Sequence, residues 1–313
     1  MGHAFVVFNP VAGRSSDGLR QKIADHLEEA GWSFEIYETT GREQVARVVE
    51  TALERAGRDL VVAAGGDGTV AGVAGGLIRT GVPMGVLPLG TGNVFSRELG
   101  IPERIREALS LLTGDHGTMR VDAMEVEGQF FLLNVSAGLS SMMMRGTATK
   151  DKRRLGRLAY VWTGLQKIAG HQPHRFSLTI DGQHHVQRAA EVIVANSGAL
   201  GDPSFRWSPE VELNDGRVDV GVVRARSAWD YLQVAFALVL RGQPDVGTIQ
   251  HLIAERNVIV DATPRLPMQG DGQFIGYPPV EVKVVPNALY VVVRGETGEG
   301  LVLAKGLNPS HRG

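Results

Sequence analysis

The run VVAAGGDGTVAGVAGGLI, from Val61 to Ile78, places a carboxylate, Asp67, among glycines between an apolar stretch and a helix-like one. Glycine turns in that setting present main-chain N–H groups and a helix N-terminus, both of which favour anions. An aspartate there repels a polyphosphate unless a cation lies between them. Mg2+ is such a cation, bridging carboxylate and phosphate oxygens directly or through water. Gly65, Gly66, Asp67, Gly68 and Thr69 therefore read as a Mg-nucleotide turn rather than a bare anion cradle. Phosphoryl transfer from ATP needs that metal and little covalent help from protein. The bland alternative is an Asp-Gly turn ahead of a helix capped by Thr69. Two familiar phosphate fingerprints do not apply. No Gly-Lys-Ser/Thr triplet occurs, and Gly66-Asp67-Gly68 lacks a third glycine in register and an acid about 20 residues on.

The elements that must position this turn alternate over the first 120 or so residues. AFVVF, SFEIYE, DLVVAA and MGVLPL read as strands. DGLRQKIADHLEEAG, REQVARVVETALERAG and TVAGVAGGLI read as helices. This order predicts a parallel sheet with helices on both faces. Ligands of such sheets bind beyond the carboxyl ends of the strands, where NPVAGR, GGDGT and LGTGN all fall. Gly72, Gly75 and Gly76 weaken a helix by about 1 kcal/mol each relative to alanine, which predicts close backbone packing on that helix. After about Met119 the texture turns to strands: RVDAMEV, QFFLLNVS, RFSLTID, AEVIVANS, RVDVGVV and VEVKVV with ALYVVVR. The prediction is α/β overall, with an N-terminal parallel-sheet domain over 1–122, completed by 296–313, and an antiparallel β domain over 123–295.

Composition narrows the function. The chain has 313 residues, 43% of them hydrophobic, a net charge of −2 and no cysteine. Two folded domains fit that length. The charge excludes a general attraction for nucleic acid. Absence of cysteine excludes disulfides and thiolate sites and fits a reducing compartment. MGHAFVVFNP is not read as a signal peptide, and no window of about 18 uncharged apolar residues spans a membrane. Cytoplasmic location is the expectation. His171, His174, His184 and His185 read as surface or core histidines rather than zinc ligands. Met142 to Met144 read as a strand end. The stretch holding Lys150, Lys152, Arg153, Arg154, Arg157, Tyr160 and Trp162 reads as a solvated helix face that could meet anionic headgroups.

NPVAG at 9–13, GGDGT at 65–69, PLGTGN at 88–93, LNDG at 213–216 and GDGQ at 270–273 together resemble the diacylglycerol kinase catalytic-domain family, which includes sphingosine kinase-like lipid kinases. Gly-Gly-Asp-Gly alone is shared with NAD kinases and phosphofructokinases. The resemblance implies a nucleotide-binding α/β domain followed by a β-sandwich, with the C-terminal segment returning to the first domain. It implies an ATP- and Mg2+-dependent kinase of a lipid hydroxyl, held transiently at the membrane surface, with a homodimer allowed. Asn9, Pro10, Val11, Ala12, Gly13, Thr40, the residues 65–69, Thr91 and Asn93 would contact ATP. Asp215 would ligate a structural cation with the carbonyls of Glu212 and Arg217. The lipid hydroxyl would lie between the domains near Asp271, with Asp67, Asp271 and Gln273 as the catalytic positions.

Two positions depart from the family pattern. Val94 stands where an aspartate often follows the loop asparagine, a weak tilt towards the sphingosine-kinase-like branch. Gln273 stands where the family has the glutamate held to accept the proton. An amide takes up no proton at neutral pH, which leaves Asp271 for that role. The alternatives are an NAD kinase-like enzyme and a weakly catalytic homologue that binds nucleotide or lipid.

Overall fold

The computed structural model describes residues 2–55, 57–146, 173–199, 211–224, 230, 249–295 and 302–303. The chain divides into two compact units, Met1–Val121 with Ala288–Gly313, and Asp122–Asn287.

In the first unit the order is β1 (His3–Phe8), α1 (Leu19–Glu29), β2 (Ser33–Glu38), α2 (Val45–Leu53), β3 (Leu60–Gly65), α3 (Asp67–Leu77) and β4 (Met84–Pro88). The strands pair in parallel in the order β2-β1-β3-β4. β3 and β4 are buried along their whole length, as expected where helices cover both faces of a parallel sheet. On α1, Leu19, Ile23 and Leu27 recur every four residues and are all buried. Two helices, α4 (Val94–Glu98) and α5 (Ile105–Thr113), add to those read from the sequence. The α3 glycines do pack closely. A Cβ on Gly72 would lie 2.8 Å from the Val45 Cβ, and one on Gly76 would lie 2.6 Å from the Ala46 carbonyl oxygen. α2 therefore rests on α3 at a distance that only glycine allows. Gly76→Ala is expected to lower stability by about 1–3 kcal/mol through overpacking, despite alanine's better helix propensity. Urea unfolding of the two proteins measures it.

β5 (Gly117–Val126) leads into the second unit. There follow β6 (Gln129–Phe131), β7 (Asn134–Gly138), α6 (Leu139–Gly146), β8 (His174–Ile180), β9 (Gln183–Ala189), β10 (Glu191–Ala195), β11 (Val218–Val223), β12 (Ile249–Ala254), β13 (Asn257–Thr263), β14 (Met268–Gly270), β15 (Gln273–Gly276) and β16 (Val280–Val293). One antiparallel sheet runs β12-β11-β10-β7-β14-β15. In a second, Val280–Lys283 of β16 pairs with β13, β13 with β8 and β8 with β9. Phe176 and Leu178, Val192 and Val194, Val218 and Val220, and Val258 and Val260 from the two sheets share one core. This is a β-sandwich.

Two local expectations are corrected. LSSMMM belongs to helix α6, not to a strand end, and Met142 is exposed on it. QFFLLNVS is two strands, because the N–H groups of Leu132, Leu133 and Asn134 go to a side chain from β14's turn rather than to a ladder. His171 and the basic stretch from Lys150 to Trp162 lie outside the described residues. So does most of the C-terminal segment, whose β17 (Val302–Leu303) pairs with Gly117 and Thr118 of β5.

Candidate active site

In the first unit the chain passes from β1 to β2 on one side, then crosses to β3 on the other. The carboxyl ends of β1 and β3 thus border a topological switch point, where open α/β sheets bind ligands. The turn from Asn9 to Gly13 leaves β1, and Gly65 to Thr69 leaves β3. The Asn9 N–H donates to the Ala64 carbonyl at 2.9 Å. Its side-chain Nδ2 donates to the Thr69 hydroxyl at 3.2 Å, and its Oδ1 accepts from Val11 N at 3.1 Å. The third turn, leaving β4, is locked to both. Arg14 N donates to the Leu89 carbonyl at 2.7 Å, and Leu89 N donates to the Gly65 carbonyl at 2.8 Å. Missing side chains make the contact possible. A Cβ on Gly90 would lie 2.6 Å from the Gly66 Cα, one on Gly65 would lie 2.3 Å from the Thr69 hydroxyl, and one on Gly13 would lie 2.9 Å from the Thr91 hydroxyl. Asn9, Gly13, Gly65, Gly66, Asp67, Thr69, Thr91 and Asn93 are thereby brought together.

Asp67 opens α3, and its Oδ1 accepts from Phe95 N at 3.2 Å. Its Oδ2 faces Gly92, where a Cβ would stand 3.0 Å away. The carboxylate is thus held by the start of α4 while its second oxygen looks onto the glycine turn. Asn93 has φ 49° and is 2% exposed. Its Nδ2 donates to the Gly90 carbonyl at 2.8 Å, but its Oδ1 is buried with no hydrogen-bond partner among the described residues. A buried acceptor beside a glycine turn suits a donor from a ligand, such as a sugar hydroxyl or a metal-bound water. Glycine cradle, helix start, Asp67 oxygen and Asn93 acceptor together fit a nucleotide with a divalent cation. Among the described residues Thr40 bonds only locally: its N–H and hydroxyl donate to Glu43 at 2.7 and 2.5 Å. The Thr40 hydroxyl, ahead of main-chain bonds, holds the Glu43 carboxyl down at about 2. Sequence reasoning missed Arg14 and Arg97. Both guanidiniums bind Glu103, Arg14 at 2.8 Å, and they hold that carboxyl below its ordinary range, Arg14 first. The arginine directly after NPVAG was the available signal.

The LNDG loop surrounds a buried carboxylate that sequence reading passed over. Asp122, 1% exposed, accepts from Gly216 N and Asn287 N, both at 2.6 Å. Burial pushes its carboxyl up, the two main-chain bonds oppose this, and Asp215 nearby adds to the rise. Asp215 itself is taken by Arg217, whose Nε lies 2.9 Å from Oδ2. The Arg217 guanidinium is raised first by Asp215 and further by Asp219 and Glu212. The loop therefore gathers carboxylates around one guanidinium, which supplies the positive charge itself; among the described residues no group of three or more His, Asp or Glu is arranged to hold a metal ion. Asp215→Asn is expected to lower the melting temperature more in Mg2+ than in chelator. Equal shifts in the two buffers, read by calorimetry, would leave an ordinary Asp-Gly turn held by Arg217.

In the second unit Asp271 and Gly272 form the two-residue loop of the β14–β15 hairpin, with Gly270 paired to Gln273. Both have positive φ, 47° and 79°, the type I′ geometry that Asp-Gly favours. The Asp271 carboxylate accepts from Leu132 N at 2.7 Å and from Leu133 N and Asn134 N at 2.9 Å. Asp271 N returns a bond to the Asn134 carbonyl at 2.9 Å. Gln273 is exposed at the head of β15. The same device occurs again at Asp181-Gly182, between β8 and β9, with φ 49° and 91°. There the carboxylate accepts from Glu255, Arg256 and Asn257, and Asp181 N donates to the Asn257 carbonyl. Burial works to raise the Asp181 carboxyl, but the three main-chain bonds win and it sits below its ordinary range. The folded value being the lower, this clamp's contribution is complete above about pH 4. It fades only as pH falls through the folded value.

Residues 3–126 match the family model for the diacylglycerol kinase catalytic domain, and residues 133–293 match that for the YegS C-terminal NAD kinase beta sandwich-like domain. A diacylglycerol kinase of Bacillus subtilis (strain 168) is 29% identical over 309 residues, which cover 96% of this chain and 99% of its own. An uncharacterized protein of Synechocystis sp. is 30% identical over 304 residues, 93% of this chain and 69% of its own. A crystal structure of a diacylglycerol kinase from Bacillus anthracis str. Sterne is 24% identical and aligns with a TM-score of 0.75 over 94% of this chain and 97% of that one. That last likeness is one of fold.

Proposed function

This chain belongs to the diacylglycerol kinase catalytic-domain family, with the YegS-type β-sandwich as its second part, and on that premise we propose that it transfers a phosphoryl group from ATP, with Mg2+, to a lipid hydroxyl. The observation that carries this reading is the meeting of three glycine turns with the Asp67 carboxylate at the carboxyl ends of β1, β3 and β4. Main-chain N–H groups of Asn9 to Gly13 and of Gly65 to Thr69 would bind the phosphates, with Thr91 and Asn93 closing the third side. Mg2+, when bound, supplies positive charge between the Asp67 carboxylate and the phosphates. Thr40 would reach the nucleotide by exchanging its Glu43 bonds. Asp271 is the carboxylate we assign to the acceptor hydroxyl's proton, with the Gln273 amide orienting that hydroxyl.

Among the described residues no helix is long and apolar enough to cross a membrane. We place the protein in the cytoplasm, meeting the bilayer transiently where its lipid lies. A second reading, a weakly catalytic nucleotide- and lipid-binding homologue, is favoured by the engagement of the Asp271 carboxylate with three main-chain donors and by the amide at 273. Labelled ATP with diacylglycerol, sphingosine, ceramide and polyprenol, each with Mg2+, separates the two. A phosphorylated lipid supports the kinase. Tight ATP binding without any product supports the homologue, and NADP formed from NAD and ATP overturns both.

A further inference from the structure

Glu191 heads β10 and is 7% exposed, yet the proposed reaction does not use it. Its Oε2 accepts from Ser140 N at 2.8 Å, and its Oε1 accepts from the Ser140 hydroxyl. The hydroxyls of Ser140 and Ser136 are 2.9 Å apart. Gln269 Nε2 donates to the Ser136 hydroxyl oxygen at 2.7 Å and to Asn134 Oδ1 at 3.0 Å. Gln269 Oε1 accepts from Gly272 N at 2.8 Å. A continuous chain of hydrogen bonds thus runs from a buried carboxylate to the Asp271-Gly272 turn.

With Glu191 ionised, the direction of each bond follows from donor and acceptor inventory. The Gly272 N–H fixes the Gln269 oxygen, so the amide NH2 must point to Ser136 and Asn134. The single proton of Ser140 is committed to Glu191. The Ser136 proton goes to Ser140 or to Glu191 itself, which also accepts from Ser136, and by either route both serine hydroxyls point towards the carboxylate. Such a chain is cooperative and holds one arrangement. The backbone is shaped for it. Gly138 has φ 132°, and a Cβ there would lie 2.4 Å from the Ala190 carbonyl oxygen and 2.9 Å from Glu191 Oε2. Burial pushes the Glu191 carboxyl up from its ordinary range, and the bonds from Ser140, Ser136 and the Leu139 main chain work against that. Anchoring the start of α6 needs only the Ser140 and Leu139 contacts. The bonds through Ser136 and Gln269 serve the hairpin instead.

We propose that Glu191, acting through Ser140, Ser136 and Gln269, is a positioning residue that sets the Asp271-Gly272 turn and, with it, the pose of Gln273. Its catalytic consequence rests on the reading that this hairpin serves phosphoryl transfer to a lipid. The test compares Glu191→Gln, Ser136→Ala and the double variant. Ser141→Ala is the control, since among the described residues Ser141 bonds only to Gly138. The first readout is hydrogen exchange of the Gly272 amide by NMR, which does not depend on activity. The second is turnover of diacylglycerol in phosphatidylglycerol vesicles with labelled ATP and Mg2+.

Each single variant is expected to raise Gly272 exchange at least about fivefold, the loss of one buried hydrogen bond. The double should match the larger single effect, because both variants break one chain. The kcat should fall in step while the KM for ATP stays put, and Ser141→Ala should leave Gly272 exchange unchanged. Wild-type exchange at Gly272 in Glu191→Gln, or additive effects in the double, would overturn the proposal and leave Glu191 an anchor for α6. If Glu191→Gln does not fold, Ser136→Ala decides alone, and unchanged exchange there overturns it equally. A Gly272 response in a protein that phosphorylates no lipid would keep the chain of bonds and sink the kinase reading.

Discussion

Asp271→Asn is expected to lower lipid phosphorylation at least about a hundredfold, the scale of losing a general base, while ATP binds as before. The structure adds a stability term that must be measured beside it. Both oxygens of Asp271 accept main-chain bonds, from Leu132 on one and from Leu133 and Asn134 on the other. An asparagine offers one oxygen and turns an NH2 towards a main-chain donor. That mismatch should cost about 1–3 kcal/mol. Asp181→Asn is the internal control, because Asp181 clamps Glu255, Arg256 and Asn257 in the same way at the β8–β9 turn. Both variants should melt earlier by similar amounts, and only Asp271→Asn should lose turnover. If the two behave alike, with activity tracking stability, Asp271 is a clamp and the proton leaves by another group or to water. Gln273→Glu is the companion experiment. Its side chain starts from an exposed position beside the turn, and a carboxylate there should raise the rate.

Asp67→Asn should cut turnover by at least about tenfold, or 1.4 kcal/mol of transition-state stabilisation, with the fold intact. The geometry makes this a clean test of charge. The asparagine oxygen can keep the bond from Phe95 N, now 3.2 Å from Oδ1, and the amide fits the space beside Gly92. Only the negative charge facing the glycine turn is lost. If that charge acts through Mg2+, the variant should need more Mg2+ for half-maximal rate. Wild-type turnover in the variant at limiting Mg2+ would rule out the metal-linked role.

The architecture and the place of the glycine turns were legible in the residues alone. Apolar runs of strand length alternating with four-residue helical spacing leave little choice but a parallel sheet, and the turns at its strand ends then fall at one edge. Leu19, Ile23 and Leu27 show the local nature of that information, since spacing alone predicts their burial. The α3 glycines were legible for the same reason: a residue that weakens a helix is there for space, and α2 occupies it.

Other features depended on partners far apart in sequence. QFFLLNVS looks like one strand, and is broken because a carboxylate about 140 residues on takes its N–H groups. That Asp181 and Asp271 are the same device follows from backbone φ and from what each clamps, neither of which Asp-Gly alone states. Asp122 beneath the LNDG loop and the path from Glu191 to Gly272 are assembled from separate strands. A buried polar group must find its partner, but which partner it finds is set by strand order and register. Those are properties of the folded sheets, and no local run of residues carries them.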